Sequence, residues 1–214
     1  MTHESIIPNY VVLDSSVLKT LPLYQKKCTM LDALCQGIES WWSVNSTDES
    51  KEYAKQAVGM IVKNMDAYLA GSDKSAEQIM LAANLSGRAI NITQTTAPHA
   101  MSYKLTSMYK LPHGHAVAVC LPEVWEYMLA NTDKCVDGRG KEYLKTTFDE
   151  IAKIITPVIF REVLQKLEMK YPISKEKEND LNILTNSVNL VRLKNNPVKL
   201  ENGVIRSLYE RILK

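Results

Sequence analysis

Apolar positions recur every three or four residues along most of this chain, the spacing of one buried helix face after another. Residues 23 to 43 carry Leu31, Leu34, Ile38 and Trp41 at that spacing, behind Pro22 near the first turn. "STDES" at 46 to 50 reads as an N-terminal cap; Tyr53, Val58, Ile61 and Met65 continue a second helix, which Gly71 closes. A third helix is predicted from near Asp73 to about Tyr103, kinked at Pro98, and a fourth after Pro112, kinked at Pro122. "NTDKCVDGRGKEY" is a polar loop. Two or three helices fill 141 to 192, and a loop and a last helix follow. Residues 7 to 13, "IPNYVVL", read instead as one short strand. A single strand cannot bury itself, so this one is expected to pair with something outside the chain or with another copy. The fold class is mainly α, with a strand fragment in front.

Composition narrows the function classes. The 214 residues, 45% hydrophobic and 23% charged, suffice for one domain with a sizeable core. Net charge is +2 with Lys and Arg scattered, which argues against a nucleic-acid or anionic-membrane surface. Cys28, Cys35, Cys120 and Cys135 form no C-x-x-C pair, so buried, reduced thiols are expected. No stretch resembles a signal peptide or reaches spanning length. A cytoplasmic protein is the expectation.

The chemistry concentrates in "TAPHAMSYKLTSMYKLPHGHAV", residues 96 to 117, which holds His99, His113 and His115. On one continuous helix, His99 and His113 would stand about 21 Å apart. They can share an ion only if the chain doubles back between them, which Thr106, Ser107 and Pro112 permit. Two imidazoles suit Zn²⁺ or Fe²⁺, and a carboxylate completes a mixed nitrogen–oxygen site. Asp32 is the candidate, because it interrupts an apolar helical pattern. Gln36 lies one turn on, and Glu39 at i+7. Pattern alone leaves a plainer reading open, with a solvent-facing Asp32 and hydrogen-bonded histidines.

Three stretches in register resemble the iron-dependent (group III) alcohol dehydrogenases. "LDALCQGIESWWS" resembles the family's Asp-Ala-Leu-x-His-x-x-Glu helix, "ANLSGRAINITQTTAPHAMSYKL" its second signature, and "LPHGHAVAVCLPEVWEYM" its Pro-His-Gly-x-Ala segment. "VRLKNNPVKL" is similar to the Asn-Pro tail, and "IIPNYVVLDSSVLKTLP" to the junction between domains. The resemblance covers essentially the whole chain. It implies a multi-helix C-terminal domain of iron-containing alcohol dehydrogenase type: residues 22–214 form the metal-binding domain, and 1–21 a strand and linker remnant of an N-terminal dinucleotide-binding domain. It also implies that Asp32, His99 and His113 are metal ligands for Fe²⁺ or Zn²⁺, with Gln36 where the family usually has its fourth ligand, a His. An amide oxygen is a weaker ligand than imidazole. Tyr103 stands where many members carry a second His that relays protons. Tyr103 is either a relay through its hydroxyl, with an ordinary pKa of ~10, or a wall of the substrate pocket. His115 is expected to start a helix near the site.

Gln36, "HAMSYK" and "SWWSVNST" look most like the phosphonoacetaldehyde reductase branch, with Lys104 and Arg88 as candidate cations for a phosphonate. The resemblance implies reduction of a small aldehyde with NAD(P)H. The chain holds no glycine-rich loop after a strand; "DGRG" at 137 to 140 does not qualify. The cofactor half is therefore expected to be missing and the chain truncated, with a homodimer or a complementing N-terminal domain as partner. Alone, it is expected to bind NAD(P)H poorly and turn over slowly or not at all. The alternative is a non-catalytic helical fragment or partner-binding module.

Overall fold

A computed structural model describes residues 8–214. Its helices are α1 (Leu23–Trp42), α2 (Asp48–Leu69), α3 (Asp73–Thr93), α4 (Ala97–Tyr109), α5 (His113–Ala130), α6 (Lys141–Ala152), α7 (Pro157–Lys166), α8 (Lys177–Ser187), α9 (Leu190–Leu193) and α10 (Asn202–Ile212). Among the described residues there is no sheet, only an isolated bridge between Cys135 and Val198.

The strand expected at 7 to 13 is not formed over residues 8 to 13; residue 7 lies outside the described residues. Tyr10 and Val12 are almost fully exposed. A strand needs a neighbour to satisfy its backbone, and none is present among the described residues. The chain then turns through Ser15–Leu18, capped by the Asp14 side chain, into α1.

Local chemistry sets the helix ends. Thr47 and Ser50 form a reciprocal capping box at the start of α2, and Ser72 caps α3. Gly71, at φ +94°, makes the left-handed turn between them. The helix expected from Asp73 to Tyr103 is two helices. α3 ends at Thr93, and Pro98 stands in the first turn of α4 instead of kinking a continuous helix. Proline is favoured in a first turn because the N–H it lacks has no helical partner there. Gln94 marks the break at φ 56°, a left-handed conformation that costs a residue with a side chain about 1–3 kcal/mol.

α1 is the hub. α2, α3 and α5 pack against it, and α4 packs on α5. Leu31, Leu34, Ile38 and Trp42 are buried, and each such aliphatic side chain contributes about 1.5–3 kcal/mol. Trp42 meets Trp125 and Phe148 edge-on, at 5.4 and 6.2 Å between ring centres. α5 is nearly all apolar and runs unbroken through Pro122. The region 141 to 192 holds four helices, where two or three were expected. Three cysteines are buried thiols, and Cys135 is partly exposed.

Candidate metal centre

α4 ends at Tyr109 with Lys110 in a left-handed conformation at φ 54°, and Pro112 opens α5. The chain doubles back there, as the histidine spacing requires. His99, in the first turn of α4, and His113, the first residue of α5, stand 5.3 Å apart between ring centres. Gly114 brings them to α1. A Cβ at Gly114 would collide with the Cys28 carbonyl oxygen and lie 2.9 Å from Asp32 Cβ. Only glycine lets α5 start this close to α1.

Asp32 Oδ1 lies 3.5 Å from His99 Nε2 and 3.8 Å from His113 Nε2. One ligand atom from each of the three residues falls within 4.8 Å of the others. These gaps are too long for good hydrogen bonds, yet short enough for one ion at ~2.0–2.2 Å from each donor. Asp32 Oδ1 and His99 Nε2 are buried without a hydrogen-bond partner. Unpartnered buried polar atoms are costly and uncommon, and two of them facing one point fit a cation.

Glu39 fixes the orientation of His99. It is fully buried, at 0% exposure. One carboxylate oxygen accepts from the Thr96 N–H at 2.6 Å and the Thr96 hydroxyl at 2.8 Å; the other pairs with His99 Nδ1. Trp42 Nε1 donates to the same Thr96 hydroxyl at 3.0 Å. With Nδ1–H given to Glu39, His99 presents Nε2 to the site, the carboxylate–imidazole arrangement that orients metal-binding histidines. Burial works against charge on His99 most strongly, but the Glu39 charge and the contacts with Asp32 and Glu39 outweigh it, and its pKa rises to about 9. Burial lowers the pKa of His113, against the opposing Asp32 charge. Both effects together favour the neutral form of His113, which carries a lone pair.

Gln36 donates from Nε2 to Asp32 Oδ2 at 3.0 Å, which leaves Oδ1 turned to the imidazoles. Tyr103 lies nearly parallel to the His113 ring at 5.5 Å and 18°. Burial raises the pKa of Tyr103, and the charges of Glu39 and Asp32 add to the rise against Arg192. His115 is engaged on both nitrogens: the Tyr24 hydroxyl lies 2.7 Å from Nδ1 and the Lys170 carbonyl 2.9 Å from Nε2. It is a packing residue beside the site.

Of the two cations suggested by sequence, Arg88 is held by the Tyr53 hydroxyl and lies over that ring at 4.1 Å. The Lys104 side chain forms no ion pair among the described residues. Arg192 lies beside the cluster's edge, its guanidinium 5.0 Å from the Tyr103 ring centre and hydrogen-bonded to Thr95 Oγ1 at 3.0 Å. Sequence reasoning missed Arg192 and gave Glu39 no role. Its i+7 spacing from Asp32, two full turns, was the available signal for Glu39. "DGRG" serves packing: Arg139 pairs with Asp137 and bonds the Ser43 and Ser46 carbonyls after α1.

The sequence matches the family model described as "Fe-containing alcohol dehydrogenase family, C-terminal" over residues 27–213. It is 36% identical over 155 residues to a phosphonoacetaldehyde reductase of Streptomyces viridochromogenes, a match covering 71% of this chain and 39% of that protein. The fold superposes on an iron-containing alcohol dehydrogenase from Thermococcus thioreducens at TM-score 0.87 and 21% identity, covering 99% of this chain and 56% of that one. It also superposes on a sulfoacetaldehyde reductase from Bifidobacterium kashiwanohense in complex with NAD⁺, at TM-score 0.76 and 22% identity, covering 93% of this chain and 53% of that one. The chain thus spans about half the length, or less, of these relatives. Among the described residues no helix is long and apolar enough to cross a membrane. This chain belongs to the iron-containing alcohol dehydrogenase family and corresponds to its C-terminal helical domain.

Proposed function

We propose that this domain is the metal-binding half of an NAD(P)H-dependent alcohol dehydrogenase or aldehyde reductase, with Asp32, His99 and His113 as ligands for Fe²⁺ or Zn²⁺. The pair of buried, unpartnered donors, Asp32 Oδ1 and His99 Nε2, carries this reading. A cation bound there would act as a Lewis acid on the carbonyl or alcohol oxygen of a small substrate.

The residues of the chain have separate tasks. Glu39 holds the His99 ring and its tautomer. Gln36 acts as a positioning residue, donating to Asp32 Oδ2, so three protein ligands leave a position for substrate or water. Tyr103, packed flat on His113, forms a wall of the pocket; its raised pKa disfavours a proton relay at neutral pH. The nicotinamide cofactor would be bound by an N-terminal dinucleotide domain, a reading supported by the NAD⁺ complex of the sulfoacetaldehyde reductase. Exposed Tyr10, Val11, Val12 and Leu13 suit cover by such a domain or by a second copy. The likeness to a phosphonoacetaldehyde reductase supports phosphonoacetaldehyde as substrate.

The test joins this chain to the N-terminal domain of a relative and follows NADPH oxidation with phosphonoacetaldehyde. We expect metal-dependent turnover that His113→Ala abolishes, and little or none from the chain alone. Equal turnover after chelation, or from the isolated chain, would contradict the reading. Complete absence of bound metal would favour the second reading, a non-catalytic module, which rests on Gln36 standing in place of a stronger ligand.

A further inference from the structure

We infer that Arg192 is the anion-binding residue of this site and selects small aldehydes and alcohols that carry a tetrahedral oxyanion. The inference deepens the proposed function and rests on it.

Arg192 differs from the arginines that are paired. Arg139, Arg161 and Arg206 pair with Asp137, Glu123 and Glu178, at 2.7, 2.7 and 2.6 Å. Arg192 is half-buried in α9 and has no carboxylate partner among the described residues. One N–H is pinned by Thr95 Oγ1 at 3.0 Å, and the planar group lies over Tyr103. That ring in turn stacks on His113. Among the described residues the remaining guanidinium N–H groups have no protein acceptor, while the head is held in place from two sides.

The tail anchors this placement. Asn195 donates to the Thr95 carbonyl at 3.1 Å and receives from Asn45 at 3.0 Å. The Asn195 carbonyl accepts from the Val44 N–H at 3.1 Å. The segment bearing Arg192 is thus tied to the same α3–α4 break that positions His99.

A neutral aldehyde makes no use of an unpaired guanidinium. A phosphonate or sulfonate matches it, because its oxygens accept two parallel N–H bonds from the planar fork. With the substrate oxygen at the metal cluster and its anion on Arg192, Tyr103 would pack along the carbon chain between them.

The phosphates of a nicotinamide cofactor share this chemistry, so the test separates the two sources. Dissociation constants of 2-hydroxyethylphosphonate, 1,3-propanediol and ADP-ribose are measured for the native chain, Arg192→Gln and Arg192→Lys, each Zn²⁺-loaded and metal-free, with melting temperature and metal content on the same samples. We expect Arg192→Gln to weaken phosphonate binding about tenfold or more, the loss of a charge-assisted contact. Arg192→Lys should recover part of it, with propanediol, ADP-ribose and melting temperature unchanged. No binding of the phosphonate to native chain, an equal loss for propanediol, or a loss confined to ADP-ribose overturns the inference. Metal content reports separately on the metal reading. Arg192-dependent phosphonate binding in a chain that takes up no metal would keep the anion site and remove the metal. Metal uptake with phosphonate binding indifferent to residue 192 would do the reverse.

Discussion

His99 and His113 contribute the same kind of nitrogen to one point, yet the protein holds them in opposite ways. His99 is 3% exposed and locked through Glu39, Thr96 and Trp42, each of them buried. The His113 side chain is 38% exposed, rests on Tyr103, and owes its place to the backbone approach at Gly114. The first is a fixed anchor in a dry interior. The second is the open edge, with Tyr103 stacked on it and Arg192 over Tyr103. Under the proposed function, the first imidazole would supply firm binding and the second would admit a ligand.

The largest effect should come from removing the approach that joins the two sides. Gly114→Ala forces α5 off the Cys28 carbonyl, and overpacking of this kind costs about 3 kcal/mol or more. Chemical denaturation should show that loss together with lost metal uptake; unchanged stability would mean that the approach is softer than the geometry implies.

Glu39→Gln tests the anchor alone. Loss of the carboxylate behind His99 should lower metal affinity about 10–100-fold, read by competition with a chelator. An effect no larger than that of a surface Glu→Gln change would deny Glu39 its orienting role.

The pH dependence sharpens the contrast. In the metal-free chain the pKa of His99 is raised to about 9 from the ordinary 6.5. Its ion pair therefore contributes stability that is fully present below pH 6.5 and lost as pH rises through about 9. A metal must displace that proton, so affinity should climb across the same window while the metal-free chain weakens. His113, with its pKa lowered, should add nothing to this trend above pH 7. Melting curves with and without Zn²⁺ from pH 6 to 9 would check both signs.

The smallest effect is expected at the open edge. Tyr103→Phe keeps the stacked ring, so turnover of the chain joined to a relative's N-terminal domain should change less than about threefold. General acid–base catalysis supplies about 10²–10⁴-fold, so a hundredfold loss would restore the hydroxyl as a proton relay.

Much of this was legible in the chain. Local signals gave α1, α2 and the start of α5, because Pro22, Thr47 and Pro112 act within a few residues of themselves. The three residues that converge on one point were named from the resemblance, and the return of the chain between His99 and His113 was legible from Pro112. The α3–α4 break was not, because the cost at Gln94 is met by distant partners: Thr96 is held by Trp42 and Glu39, and Thr95 by Arg192 and Asn195. Arg192 carries no local pattern at all, and its place at the site is set by tertiary contacts. Over residues 8 to 13 the expected strand is not formed for a related reason. An apolar run records a preference, and a strand forms only where another strand accepts its hydrogen bonds.

The central claim is that Asp32, His99 and His113 together hold a metal ion. Elemental analysis of the native chain and of His113→Ala, both purified without chelator, tests it most directly. The account predicts about one Fe or Zn per native chain and loss of most of it in the variant. No metal in either protein, or the same metal in both, would contradict it.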